Sequence, residues 1–415
     1  MPDTDIAFRS TTSAHLEHLV SALLSGGLAL ALVTPKGFGA LLALLFLVAL
    51  FSLRVRALRA LRHQDWVFLL LFNVYPLLIG FNMVLHGVSD VGLFDNASRF
   101  LFLSVVYIVL RSTGFRMTYV ILGAMVGCVL TFCAAFHHLL LGPPTRFGAF
   151  ENPIIFAQIA FFLLLIAATP VKLTSLPDDR ARLLLFALIV ATSITLAASQ
   201  SRGPLMALAA FYGYLLFVDF RRPAGGVTKL VLLVFGVGAV LFLTASADLQ
   251  HLEATTAEFF ANYERIDQLT STGRRLAQWS LSWILIAEEP WFGHGVGQFN
   301  AALSALPDAA SLTPTVRSYN HAHNDLINMA VEQGLVSVTV FLASLAAIAF
   351  LVMREEFGID ARHLVLGTMG FWLFFALSQT QFAHQKTTMM FALLLLLGFC
   401  QGMNEKFGTL LRETR

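Results

Sequence analysis

The run from Leu326 to Val352 reads LINMAVEQGLVSVTVFLASLAAIAFLV, and Glu332 is its only ionisable side chain. A helix needs about 20 consecutive apolar residues to cross a bilayer core about 30 Å thick. A surface helix of a soluble protein shows one apolar stripe, whereas this run is apolar nearly all round. Working outward from it, the same reading finds twelve candidate spans, at 17–34, 37–53, 66–85, 97–110, 117–140, 154–170, 183–199, 204–219, 228–245, 326–352, 363–379 and 387–403. Proline sits at several of the ends, at Pro35, Pro153, Pro170 and Pro204, where a helix starts or stops at little cost.

The composition agrees. Of 415 residues, 57% are hydrophobic and 13% charged, against roughly 25% charged in a soluble domain. The predicted fold is therefore an all-α polytopic membrane protein, with residues 1–415 forming a single transmembrane bundle. A net charge of +2 does not suit a nucleic-acid partner. Cys128, Cys133 and Cys400 lie in apolar segments with no C-x-x-C pair, so they read as small core residues.

Orientation follows from the basic residues. With the N-terminus in the cytoplasm, inside segments hold 18 of the 27 Lys and Arg and outside segments hold 9. That bias predicts cytoplasmic N- and C-termini. Ala29-Leu30-Ala31 resembles a signal-peptidase site, but the first span is read as retained. The outside segment 246–325, between spans 9 and 10, is too polar for lipid and is expected to form short helices over the external mouth of the bundle.

Four clusters carry the polar chemistry, all on the expected outer side. The first is Ser201-Arg202-Gly203-Pro204, a tight turn between apolar spans. An Arg at that depth needs an anionic partner or a function, unless it only snorkels to the headgroups. The second runs Gly273-Arg274-Arg275 to Trp279, then Pro290, Gly293, Gly295 and Gly297. A helix over 275–287 puts Arg275 and Trp279 on one face, and Arg near a helix start makes a seat for phosphate. The plainer alternative is an interfacial helix anchored by Trp279, Trp283 and Trp291.

The third cluster is His321-Ala322-His323-Asn324-Asp325. His323, Leu326 or Ile327, Ala330 and Gly334 fall on one helical stripe, which places His323 at the outer start of a span. A neutral imidazole there accepts a proton near neutral pH. Two His at i, i+2 diverge on a helix, which argues against a metal pair. The fourth is Arg146 to Asn152, where Arg146 and Asn152 offer contacts for a sugar or phosphate, although a loop entering a helix at Pro153 needs no function. The only Asp-x-Asp pair, Asp3 and Asp5, lies on the inner side, so no metal is expected and Arg should neutralise substrate phosphate.

In this order the clusters resemble the O-antigen ligase and polymerase superfamily of bacterial membrane glycosyltransferases. Ser201-Arg202-Gly203 is similar to its Ser-Arg-Gly turn. Gly273 to Gly295 resembles its Gly-Arg-x3-Trp…Pro-x2-Gly-x-Gly block, and His323-Asn324-x9-Gly334 its ligase His-Asn-x9-Gly motif. The doubled Arg departs from the pattern: spacing to Trp279 favours Arg275, adjacency to Gly273 favours Arg274. The extra His321 is a second departure.

The resemblance implies a GT-C-like architecture in the inner membrane and a periplasmic active site. It implies an undecaprenyl-diphosphate-linked O-antigen donor and a lipid A–core acceptor. His323 would be the base, with Arg202, Arg275 and Arg274 on the diphosphate. Arg146, Asn152, Asn324, His321 and Trp279 are secondary binding candidates. No cofactor, ATP or covalent intermediate is expected. An O-antigen polymerase or a protein O-oligosaccharyltransferase is the near alternative; the His-Asn-x9-Gly block and the short sequence after the last span favour the ligase. A lipid or polysaccharide transporter is the distant one, but such proteins place ionisable groups near the midplane and show repeats, and neither pattern is present.

Overall fold

The computed structural model describes residues 3–211, apart from 54, 60, 144, 170–177 and 202, and residues 271–413. Among these every regular element is helical. The elements are α1 (Asp3–Ala29), α2 (Gly37–Ser52), α3 (Val55–Arg59), α4 (His63–Phe72), α5 (Val74–Leu85), α6 (Asp95–Thr113), α7 (Met117–Leu141), α8 (Pro153–Ala167) and α9 (Asp178–Ser199). After them come α10 (Ser271–Glu288), α11 (Phe299–Ala305), α12 (Pro314–Arg317), α13 (Asp325–Arg354), α14 (Ile359–Ala376) and α15 (Gln385–Glu413). Arg202, the span expected at 228–245, most of that expected at 204–219 and the 246–325 segment before Ser271 lie outside the described residues.

Among the described residues four helical segments are long and apolar enough to cross a membrane: Val91–Thr113, Met117–Leu141, Asp325–Arg354 and Gln385–Lys406. The pair α4–α5 makes a fifth if its bend is one broken span. This is a helical membrane protein. Four or five segments meet the crossing criterion, against twelve expected; α2, α8 and Leu183–Ser199 are apolar but only 10–17 residues long. Phe51 and Val84, 85% and 84% exposed, are apolar side chains that lipid would cover.

The span expected at 66–85 is bent by 45° between α4 and α5. Pro76 has no N–H for the carbonyl of Phe72, and Asn73 at the break donates instead to Leu69 O at 2.7 Å and Ser104 Oγ at 2.8 Å. Among the described residues the two most enclosed helices are α8, buried throughout from Ile155 to Ala167, and α15, buried throughout from Lys386 to Cys400. The other helices wrap around this centre. α1 crosses α7 closely because Gly123 and Gly127 are small: a Cβ there would lie 2.3 Å from Ser25 O and 2.7 Å from Leu28 O.

One end of the bundle is locked by a buried ion pair. Arg111 of α6 donates to Asp65 of α4 at 2.7 Å, and the two side chains are 7% and 0% exposed. Tyr107 also donates to Asp65, and Arg111 to Asn404 of α15. These partners satisfy charges that would otherwise be costly to bury.

At the other end α13 is broken at Gly334, whose φ of +79° is non-helical. The chain from 290 to 295 splices into the break. His294 N and Gly295 N donate to the carbonyls of Val331 and Glu332 at 2.9 and 2.8 Å. In return Leu335 N and Val336 N donate to the carbonyls of Pro290 and Trp291 at 2.8 and 3.4 Å. Backbone groups freed by the kink are thus paired. Side chains of α5 hold the loop from its other side: Asn82 bonds Phe292 O and Val296 N, and His86 bonds Gly293 O. The Gly-x-Gly-x-Gly run is a structural joint.

Candidate active site

The joint and α10 together position residues 319–325. Trp279 Nε1 donates to Ala322 O at 2.7 Å, and Gln278 Nε2 to His321 O at 3.1 Å. Ala322 N donates to Asn328 Oδ1 at 3.1 Å. Asn324 caps α13, its Oδ1 accepting from Leu326 N and Ile327 N at 3.0 and 3.1 Å. That cap starts the helix at Asp325, so His323 does not lie on the expected helical stripe. It occupies a left-handed turn at φ +50°, a conformation that few non-glycine residues adopt.

The irregular turn also brings together two imidazoles that a helix would have parted. The rings of His321 and His323 meet edge-on, centroids 4.4 Å apart, and the ring of Tyr319 lies 4.7 Å from His323. A third imidazole, His384, is 5.8 Å from His321. Among the described residues no group of three His, Cys, Asp or Glu has an arrangement able to hold a metal ion.

Gln379 links the imidazoles. Its Oε1 lies 2.9 Å from His323 Nδ1 and its Nε2 lies 3.0 Å from His384 Nε2. An amide oxygen only accepts and an amide nitrogen only donates. His323 Nδ1 therefore carries the hydrogen, and the lone pair of the neutral ring is on Nε2, which makes no hydrogen bond among the described residues. Burial pushes His323 below the usual histidine range, opposed by the Gln379 bond and reinforced by Arg275, His384 and Arg274. Burial first, then His323, His384 and Arg275, push His321 down to about 3. Burial also lowers His384, against the pull of Glu151. The site holds neutral imidazoles under the positive field of Arg275 and Arg274.

The remaining clusters meet the same end of the bundle. Arg146 donates to Ser199 O and Ser201 Oγ, both at 3.1 Å, and so pins the turn that precedes residue 202. Gly203 lies against Ser378, where a Cβ would sit 2.7 Å from the hydroxyl. Asn152 is occupied as the cap of α8, its side chain accepting from Ile154 N. Lys386 pairs with Glu151 at 2.9 Å and donates to Ala31 O and Thr34 O. Gln379, His384 and the Lys386 pairing were not singled out in sequence; the dense polar run from Ser378 to Thr388 between two apolar helices was the available signal.

Comparison with known proteins bears on part of this site. Residues 186–342 match the O-antigen ligase family. The match supports the resemblance seen in the motifs, and it spans Arg202, Arg274, Arg275, Trp279, His321 and His323. It ends before Gln379 and His384. A protein of Haemophilus influenzae, described only as uncharacterized, is 21% identical over 350 residues, covering 81% of this chain and 86% of its own. Over residues 186–342 the chain is similar to the O-antigen ligase family, and its described part carries helices long and apolar enough to cross a membrane.

Proposed function

We propose that this protein is an O-antigen ligase, transferring glycan from undecaprenyl diphosphate to lipid A–core at the periplasmic face of the inner membrane. One observation carries this: His323, fixed with its basic nitrogen unbonded, lies in the field of two arginines on the adjoining helix. The acceptor hydroxyl oxygen attacks the anomeric carbon and its proton passes to His323 Nε2. The bond from that carbon to the diphosphate oxygen breaks, and undecaprenyl diphosphate leaves with the electron pair. Direct attack inverts the anomeric configuration. Arg275, Arg274 and Arg202 stabilise the charge that develops on the leaving group, an effect of about 3–4 kcal/mol for a key donor in comparable sites.

Arg146 acts by holding the turn beside Arg202, and Trp279 and Asn324 by holding the backbone around His323. Asn152 serves as a helix cap. The excess of basic residues in the expected inner segments supports cytoplasmic termini and a periplasmic site.

The test is a ligation assay with purified protein, undecaprenyl-diphosphate-linked glycan and lipid A–core, with EDTA present. Product from wild type, and none from a folded His323→Ala variant, is the expected result. Polymerised donor without acceptor ligation would make the protein a polymerase. Full activity of the variant would remove His323 from the mechanism.

A further inference from the structure

A cavity of about 570 Å³ opens beside His321, within the roughly 300–1,000 Å³ typical of small-molecule sites. Its mouth is formed by exposed residues, among them Gly92, Gly297, Asn320 and Ala383. Its floor is buried and aromatic: Tyr75 and Phe382 pack with ring centroids 4.5 Å apart. The polar wall holds Asn96, Asp325, Asn328, Glu332, Gln333 and Thr380. Among the described residues no Arg or Lys lines it.

Two observations define an occupant. First, among the described residues Asn96 Oδ1, Gln333 Oε1 and Thr380 Oγ1 have no hydrogen-bond partner, and Gln333 and Thr380 are each 3% exposed. Buried polar atoms in folded proteins are nearly always paired, so such a concentration on one wall points to a ligand with many hydroxyls. Second, charge is divided across the histidine pair. The arginines act on His323 from α10, and Arg275 also on His321, whereas the described lining of the cavity carries two carboxyl side chains and no Arg or Lys. A diphosphate finds no described cation to pair with there. Carboxyl and amide groups above an aromatic floor suit a sugar ring, with hydroxyls for the wall and a C–H face for the rings.

We propose that this cavity seats the acceptor sugar, in the form of a neutral or amino sugar free of phosphate at the bound unit. This rests on the ligase reading above. The donor diphosphate then lies on the arginine side and the acceptor on the carboxyl side, with the histidines between them.

The experiment uses Thr380→Val and Gln333→Met in the full-length protein. Neither removes a side-chain hydrogen bond made among the described residues, so both should fold, which thermal unfolding in detergent checks. Initial rates are measured with undecaprenyl-diphosphate-linked glycan and lipid A–core varied in turn. The expected result is an acceptor KM raised about three- to tenfold per variant, the size of one lost hydrogen bond, with the donor KM unchanged. In parallel, saturation-transfer NMR follows phosphate-free core oligosaccharide on wild type and the double variant, with transfer expected only to the wild type. Ligation with an unchanged acceptor KM, or with a raised donor KM instead, overturns the proposal and leaves the ligase reading intact. Oligosaccharide binding that depends on Thr380 and Gln333, without any ligation, overturns the ligase reading and keeps the cavity as a sugar site. Absence of both ligation and binding overturns both.

Discussion

Replacing Gln379 should slow the reaction without weakening donor binding. Its side chain makes two hydrogen bonds, to His323 Nδ1 at 2.9 Å and His384 Nε2 at 3.0 Å. Gln379→Leu removes both and lets His323 put its hydrogen on Nε2, the atom that must accept the proton. Hydrogen bonds of this kind contribute about 0.5–1.5 kcal/mol each. Loss of both from the transition state lowers kcat roughly 5- to 150-fold, at a factor of ten per 1.36 kcal/mol.

Gln379→Glu separates tautomer control from packing, because the carboxylate still accepts from Nδ1–H. Its charge raises the pKa of His323. The proposed base is the neutral ring, present above that pKa. In wild type burial and the arginines hold His323 below its ordinary value, so the acid limb of the rate profile lies below about pH 6.5. In Gln379→Glu that limb moves to higher pH, and activity above it is partly retained. Rate profiles of kcat/KM from pH 4.5 to 9 measure both effects. Wild-type kcat in Gln379→Leu, together with an unmoved limb in Gln379→Glu, would refute the argument.

Arg275→Ala should shift the same acid limb upward and raise the donor KM, with a smaller limb shift for Arg274→Ala, because Arg275 bears more strongly on His323; equal shifts would assign both guanidiniums the same role. Asp65→Ala strands Arg111 in a buried position and should cost about 3–5 kcal/mol of stability, read as earlier thermal unfolding, with turnover per folded molecule unchanged since this ion pair lies at the end of the bundle away from His323. Gly334→Ala places a Cβ 2.1 Å from Trp291 O at a φ of +79°, so it should unfold the joint and abolish ligation, whereas Gly370→Ala, where a Cβ meets nothing within 4 Å, should be neutral or stabilising by about 0.5–1 kcal/mol.

The spans were legible where composition alone decides them. An apolar run such as Leu326–Val352 has to be a helix in lipid, because no water pairs its backbone. The breaks were less legible. Pro76 announces the bend at Asn73, but the contact with Ser104 made there and the Pro290 loop that splices into Gly334 have no local pattern. His323, Arg274, Arg275 and Trp279 were readable as a set because their motifs are short and their chemistry is specific. The conformation of His323 was not, since Asn324 takes over the capping role and leaves its neighbour in a left-handed turn. Gln379 was hidden by distance: it is 56 residues from the histidine it orients. Arg146 read as a ligand contact because an outer Arg has no visible partner in sequence, yet the fold turns it onto Ser199 and Ser201.

The splice at Gly334 makes the segment before it a ruler. One end of the ruler is the Asn324 cap beside His323; the other is the glycine gripped by Trp291 and Phe292. Inserting or deleting one residue between them would rotate the base by about 100° around the helix and shift it about 1.5 Å along it, away from the arginines of α10. A change of length there cannot be absorbed at either end, because the cap is fixed by the Asn324 side chain and the splice by backbone hydrogen bonds. The nine-residue interval in His323-Asn324-x9-Gly334 is therefore a measured reach from the membrane helix to the proposed base. Side chains inside the interval are free to vary wherever they touch neither the cavity nor the joint, but their number is not.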